Sequence, residues 1–454
     1  MTPDRLFACA TPFMGRRARR LRPPGVASGA FSARTASLGV SLLMLGLAAC
    51  SPPGNPEGTG PAAPTTGVSP SSASSRPLPS DPLPAQPGPS GPAPGGSRSP
   101  TPPGDARPAG GCGARVSRLS LAERVGQLLM VAVSSTGLTP SVASVLSRTH
   151  AGGVLLLGNS SGGAALTGQV VADVRAAARR PERVQVVLAV DQEGGLVQRL
   201  SGRGFSDIPA AVDQARLSDA RLARDAATWG RELARAGIDV NLAPVADVVP
   251  PDLVRVNEPV GRLRRGYGSS PRKVASKVTA FLHGMDAAGI GTAVKHFPGL
   301  GRVRGNTDFE QGVVDRVTRR RDPALRGFSA AVDGGVDMVM MSSAVYARID
   351  PARQAVFSPA VVSDMVRGDL GFDGVVISDD LAAAAVSRVP AGRRAVDFLR
   401  AGGDLVIVGD PALAAPMAAA VVERAGADPA FAERVDQSAR RVLALKARRG
   451  LARC

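Results

Sequence analysis

The sequence predicts an α/β fold, a single (β/α)8 TIM-type barrel, on three observations. Eight short apolar runs recur at regular intervals, each followed by a segment of helical character. The stretch from Cys112 to Cys454 is about 340 residues, too long for one sandwich but suited to an α/β barrel with insertions, for which about 250 is typical. Several apolar runs also end abruptly in carboxylates and cations, which is how a barrel places chemistry at the C-terminal ends of its strands. A doubly wound open sheet with extra strands is the alternative, since alternation by itself does not require closure.

In chain order, residues 1–50 read as an export signal. The basic run Arg16-Arg17-Ala18-Arg19-Arg20-Leu21-Arg22 precedes an apolar stretch, Leu38 to Ala49, that is short for a membrane span. The distance of the basic run from residue 1 makes Met14 an alternative start. The stretch ends Leu47-Ala48-Ala49-Cys50, which resembles a bacterial lipobox and implies lipidation at Cys50 and anchoring to the outer face of the cell membrane. Residues 51–110 are low-complexity Pro, Ser, Gly and Ala, and so form a disordered tether that cannot bury enough apolar surface to offset its ordering entropy. The barrel domain is expected over 111–454. Its strands are predicted at Gln127–Val133, Gly153–Leu157, Gln185–Asp191, Val240–Val248, Thr292–His296, Met338–Ser342, Gly374–Ser378 and Leu405–Val408. Helices are predicted at Leu166–Arg179, Ser218–Ala236, Pro271–Ala288, Pro323–Gly334, Ser358–Arg367, Arg393–Ala401 and Ala412–Ala425, and Phe431–Arg449 closes the chain. Ser358-Pro359 is a good helix start, a capping Ser before a Pro with its φ already set.

Composition excludes several classes of function. The net charge of +17 is almost all arginine, with lysine only at 273, 277, 295 and 446. One Trp and two Tyr leave no aromatic interleaving for stacking on nucleic acid, so no nucleic-acid partner is expected. Three histidines (His150, His283, His296) and four cysteines without a CxxC pair argue against a metal site, and no cofactor is expected. Cys112 and Cys454 bracket the domain. Domain termini often lie close together, and an exported domain meets an oxidising environment, so a disulfide between them is expected.

Four strand ends carry the chemistry. The third run ends Ala189-Val190-Asp191-Gln192-Glu193-Gly194-Gly195, with Arg199 shortly after, and the fourth ends Ala246-Asp247. The fifth ends Lys295-His296-Phe297-Pro298-Gly299 and runs into a loop holding Asn306, Asp308, Glu310 and Asp315. The seventh ends Ser378-Asp379-Asp380-Leu381. Adjacent carboxylates after an apolar strand are costly unless paired or functional. Alternation points them in opposite directions, so one faces the pocket and the other caps or orients the next segment. A mouth lined by carboxylates with Lys, Arg and His suits sugar chemistry.

Asp-Gln-Glu-Gly-Gly, Lys-His-Phe-Pro-Gly and Ser-Asp-Asp-Leu, in this order, resemble glycoside hydrolase family 3. The resemblance is closest to its single-barrel branch of bacterial β-N-acetylglucosaminidases, and it spans about Leu119 to Leu451. It implies a retaining exo-β-glycosidase acting on terminal β-linked N-acetylglucosamine, with peptidoglycan fragments as the expected source. By motif position Asp379 matches the nucleophile, and Asp191, Arg199, Lys295 and His296 match substrate-binding residues. Arg265 matches the binding arginine after strand four, with Arg264 as its competitor.

One departure concerns the acid/base. Where the branch carries Asp-Ser-His after strand five, this chain has Asn306-Thr307-Asp308. Leaving-group protonation here needs a carboxylic acid, so Asp308 is the candidate and Glu310 the second choice. An ordinary aspartate titrates near 4, and Asp308 would need burial or a like charge beside it to serve as an acid at neutral pH. Two alternatives stay open: a β-glucosidase or other exo-β-glycosidase, and a wall-sugar-binding lipoprotein with impaired catalysis.

Overall fold

The computed structural model describes residues 109–454. The expected signal segment with Cys50 lies outside these residues, as does the tether up to residue 108. A short 3-10 turn, Ala109–Cys112, leads into the domain. Eight parallel strands close into a barrel: Leu129–Ser134, Gly153–Leu157, Val187–Val190, Val240–Asn241, Gly291–Phe297, Met338–Met341, Val375–Asp380 and Leu405–Val408. Each pairs with its neighbour in the chain, and the eighth closes on the first through Leu129–Val406 and Met130–Ile407. Closure rules out the open doubly wound sheet.

All eight strands fall on predicted runs, and the differences have local causes. The first strand begins two residues late because Gln127 ends a helix, Leu121–Gln127. Ser120 and Glu123 start that helix by reciprocal capping, the side-chain oxygen of each accepting from the other's backbone N–H. A second unforeseen helix, Pro140–Arg148 capped by Thr139, joins strands one and two. The fourth strand is regular only over Val240–Asn241, because Pro244 has no N–H to donate to a ladder. The predicted run to Val248 still follows strand five, with Lys295 N donating to Pro244 O at 3.2 Å and Ala246 N to Lys295 O at 2.7 Å. The segment expected as an α-helix over Ser358–Arg367 winds as a π-helix, Ala360–Asp369, with Val361 N still donating to Ser358 Oγ at 3.4 Å.

At the N-terminal end of the barrel one device recurs three times. Asp239, Asp337 and Asp404 each immediately precede an even-numbered strand. Each carboxylate accepts from a backbone N–H on the preceding odd strand: Leu188 at 2.8 Å, Thr292 at 3.2 Å and Val376 at 2.9 Å. The remaining oxygen capacity takes arginines. Arg175 pairs with Asp239; Arg448 and Arg449 pair with Asp337; Arg367, Arg434 and Arg441 pair with Asp404. The closing helix, Pro429–Arg448, carries Arg434, Arg441 and Arg448, so it is clamped across the barrel floor by buried carboxylates. Cys112 and Cys454 are joined by a disulfide with a Cα–Cα distance of 4.5 Å, tying the start of the domain to the end of this helix.

Lys446 on the same helix is fully buried and donates to Gln127 Oε1 at 2.5 Å. Burial pushes its ammonium down to about 7, against the opposing pull of Asp239. A folded-state value below the unfolded one means that the charged form is penalised in the fold. Stability therefore rises with pH between about 7 and the unfolded value of 10.5. The melting temperature of Lys446→Met minus that of the wild type should be largest below pH 7 and shrink towards pH 10. A difference independent of pH would show that Lys446 does not titrate in this window.

Candidate active site

Register and alternation bring the polar strand ends together. Met338 lies beside Ala293 on one side and Val375 on the other, so Ala293, Met338 and Val375 share a face. Counting by twos along strand five puts Lys295 on that same face, whereas in strand seven the register shifts between Ile377 and Asp380, beside Asp379. Hydrogen bonding divides Asp379 from Asp380. Asp380 Oδ1 accepts from Ala382 N and Gly409 N, both at 2.8 Å, and ties strand seven to the end of strand eight. Among the described residues the Asp379 carboxylate takes only the Asp380 N–H, at 3.0 Å, leaving oxygen lone pairs free.

The Lys295 ammonium contacts Asp191 and lies 2.6 Å from Glu193 Oε1. Glu193 also receives Arg265 in a bidentate pair at 2.8 and 2.7 Å. These two cations and two carboxylates compensate each other in a buried site. Burial would raise the Glu193 carboxyl, but Arg265 and then Lys295 outweigh it and hold the group well below the usual carboxylate range. Burial would likewise depress Lys295, and Asp191 and Glu193 reverse this, so the ammonium stays charged. Gly194 and Gly195, at φ of 102° and 57°, turn the chain directly after Glu193. A side chain at Gly194 would also strike Pro209 O.

His296 is set by Asp247, which is fully buried. Asp247 Oδ2 lies 2.8 Å from His296 Nδ1, and its Oδ1 accepts from His296 N at 3.2 Å and Leu300 N at 2.8 Å. Nδ1 then carries the proton, and Nε2 faces Arg265 Nη2 at 3.4 Å. The strand behind this pair is anchored by Phe297, which packs edge-on against Phe328 of the helix Arg326–Asp333, with ring centroids 5.2 Å apart. Burial raises the Asp379 carboxyl to about 6; the nearby imidazole of His296 opposes this, and the like charge of Asp308 adds to it.

The loop carrying Asp308 is pinned to the segment after strand seven. Ala384 N donates to Asp308 O at 3.1 Å and Ala385 N to Thr307 O at 3.0 Å, while Gln311 Nε2 reaches Ser387 Oγ at 2.8 Å. Within the loop, Asp308 N donates to the buried Asn306 side chain at 3.0 Å. Asp308 is exposed, and its like charge is one of the causes that raise the Asp379 carboxyl. Glu310 is exposed and accepts from Asn306 N at 3.4 Å.

Asp191, Arg265, Lys295, His296 and Asp379 thus converge on the mouth, within reach of the charge of Asp308. Arg199 is joined to this group through its own backbone N–H, which donates to Asp191 O at 3.3 Å, and its guanidinium reaches Asn159 Oδ1 at 3.0 Å. Arg264 turns away, exposed and paired with Asp213 at 2.7 Å. Sequence reasoning missed the parts played by Glu193 and Asp247. Both stood in the quoted motifs, but one strand end does not reveal which cations another supplies.

Residues 120–445 match the model of the glycosyl hydrolase family 3 N terminal domain. The chain belongs to this family. A β-hexosaminidase of Stenotrophomonas maltophilia strain K279a is 35% identical over 297 residues, 63% of this chain and 84% of that protein. A crystal structure of β-N-acetylhexosaminidase from Beutenbergia cavernae DSM 12333 superposes with a TM-score of 0.71 at 48% identity, covering 72% of this chain and 99% of that one. A family 3 β-N-acetylglucosaminidase from Paenibacillus sp. str. FPU-7 gives a TM-score of 0.65 at 29% identity, over 74% of this chain and 64% of that one. In this family 3 barrel, then, the three motifs read from the sequence meet at one mouth.

Two stability measurements probe the electrostatics of the mouth. Glu193→Gln leaves Lys295 and Arg265 buried with one carboxylate fewer and should cost about 3 kcal/mol in denaturant unfolding, the scale for breaking a buried pair. A loss no larger than that of an exposed pair would show that Asp191 alone compensates both cations. Asp379 behaves in the opposite sense. Its folded-state value is raised from 3.8 to about 6, so ionisation in the fold destabilises as pH rises through that window. Asp379→Asn should therefore melt above the wild type at pH 7, and the margin should vanish near pH 4.

Proposed function

We propose that the barrel hydrolyses terminal β-linked N-acetylglucosamine with retention of configuration, Asp379 acting as nucleophile. The observation that carries this reading is Asp379 itself: a mostly buried carboxylate with free lone pairs, under the electrostatic influence of a fixed imidazole and of a second carboxylate. The named activities of its relatives in the family support the sugar class. Asp191, Lys295, Arg265 and Arg199 hold sugar hydroxyls by charge-assisted hydrogen bonds, and His296 fixes the ring near Asp379.

In the first step an Asp379 oxygen attacks the anomeric carbon and the glycosidic bond breaks. Its electron pair passes to the aglycone oxygen, which takes a proton from Asp308. In the second step water attacks the anomeric carbon, the ester to Asp379 breaks, and Asp308 receives the proton from water.

Peptidoglycan fragments are the proposed source of substrate, at the outer face of the membrane. That location rests on the lipobox-like Leu47-Ala48-Ala49-Cys50, with Cys50 as the lipidated residue ahead of a tether over 51–110. The Cys112–Cys454 disulfide suits an oxidising compartment.

Kinetics on an aryl N-acetyl-β-glucosaminide test the assignment. Asp379→Asn should abolish turnover. Asp308→Ala should spare the activated aryl substrate while slowing a disaccharide by roughly a hundredfold or more, the range of general acid catalysis. The acid limb of kcat/KM should fall at about pH 6, where Asp379 protonates. Undiminished turnover in Asp379→Asn would overturn the nucleophile assignment, and aryl glucoside cleaved faster than aryl N-acetylglucosaminide would overturn the substrate class.

A further inference from the structure

The exposed large apolar side chains of the described domain all lie on one face. Leu157 ends strand two, Leu196 follows strand three, Val254 and Val256 follow strand four, and Phe309 and Val317 follow strand five. Every one is on the C-terminal face of the barrel, where the candidate site opens; no exposed large apolar side chain is found on the opposite face or on the outer helices among the described residues. Phe309 is the extreme case. It is 79% exposed, and it directly follows Asp308, whose charge is felt by Asp379.

An aromatic ring left in water at such a position has no packing reason to be there. Nor is it on a loosely held segment. Phe309 N donates to Asn306 O at 3.1 Å, and the residues on either side are hydrogen-bonded to the Ala384–Ser387 segment that follows the Asp379 strand. The ring is thus presented on a fixed arm, one residue from the group that would protonate the aglycone oxygen. A flat apolar face presented there is suited to the C–H face of a pyranose, which stacks on aromatics while its hydroxyls stay in water.

We propose that Phe309 is the aglycone-side platform of the site, stacking on the sugar ring that departs and so setting a preference for pyranose over small leaving groups. The inference rests on the hydrolase reading above and adds to it a specificity-determining residue outside the resembled motifs. The ring binds the aglycone as it is aligned for protonation, so its effect is confined to substrates that have an aglycone ring.

The test compares N,N′-diacetylchitobiose, whose aglycone is a pyranose, with N-acetyl-β-glucosaminyl fluoride, whose leaving group offers nothing to stack. Phe309→Ala should lower kcat/KM for the disaccharide roughly five- to tenfold, the scale of one stacking contact, and leave the fluoride unchanged. Phe309→Trp should retain disaccharide activity. An exposed side chain can be removed without unfolding the domain, so the melting temperature should not move. The platform is overturned if Phe309→Ala cleaves the disaccharide as the wild type does. It is equally overturned if both substrates slow by the same factor, because the ring would then act by positioning Asp308. A wild type that turns over neither substrate would overturn the hydrolase reading together with this inference, whereas an active wild type with an indifferent variant overturns the platform alone.

Discussion

The Glu193 carboxylate, buried between Lys295 and Arg265, is the constraint on which the site depends. Two cations that follow different strands converge on a largely buried space, where a charge without a counterion is costly. Glu193 accepts from both, 2.6 Å from the ammonium and in a bidentate pair with the guanidinium. The hydrogen-bond donors of Lys295 and Arg265 are thereby kept charged and held in fixed orientations.

The same logic governs His296 and Asp379. Asp247 fixes the imidazole through its side chain and through two backbone amides, which leaves Nε2 to face the mouth. Asp379 is treated in the opposite way. Burial raises it further than the nearby His296 imidazole lowers it, and the chain gives up stability to keep a free carboxylate in place. One barrel mouth thus holds both compensated charges and an uncompensated one, and environment alone sets the difference.

At the other end of the barrel, carboxylates serve the fold. Asp239, Asp337 and Asp404 stand at the feet of alternate strands, where each joins a backbone amide of the neighbouring strand to arginines. The short phrases Gly237-Ile238-Asp239, Gly335-Val336-Asp337 and Gly402-Gly403-Asp404 carry this repeat in the sequence. Its meaning emerges only when the closing helix lies across the floor.

The chain's own order of apolar runs was enough to determine the eight strands, their parallel alternation with helices, and the placing of Asp191, Lys295, His296 and Asp379 at strand ends. Period-two patterning and chain order are local properties, and the barrel preserves them. The motif spacings also sufficed to identify the family. Tertiary structure decided what local pattern cannot encode. It selected Arg265 over Arg264, because only the former meets Glu193 from another strand. It cut the fourth strand short at Pro244 and found the pairing role of Asp247. It also placed Asp308 in the open while burying Asp379, since exposure depends on how the loop after strand five rests on the segment after strand seven. Charge compensation and burial are relations between distant parts of the chain, and closure of the barrel is what brings those parts into contact.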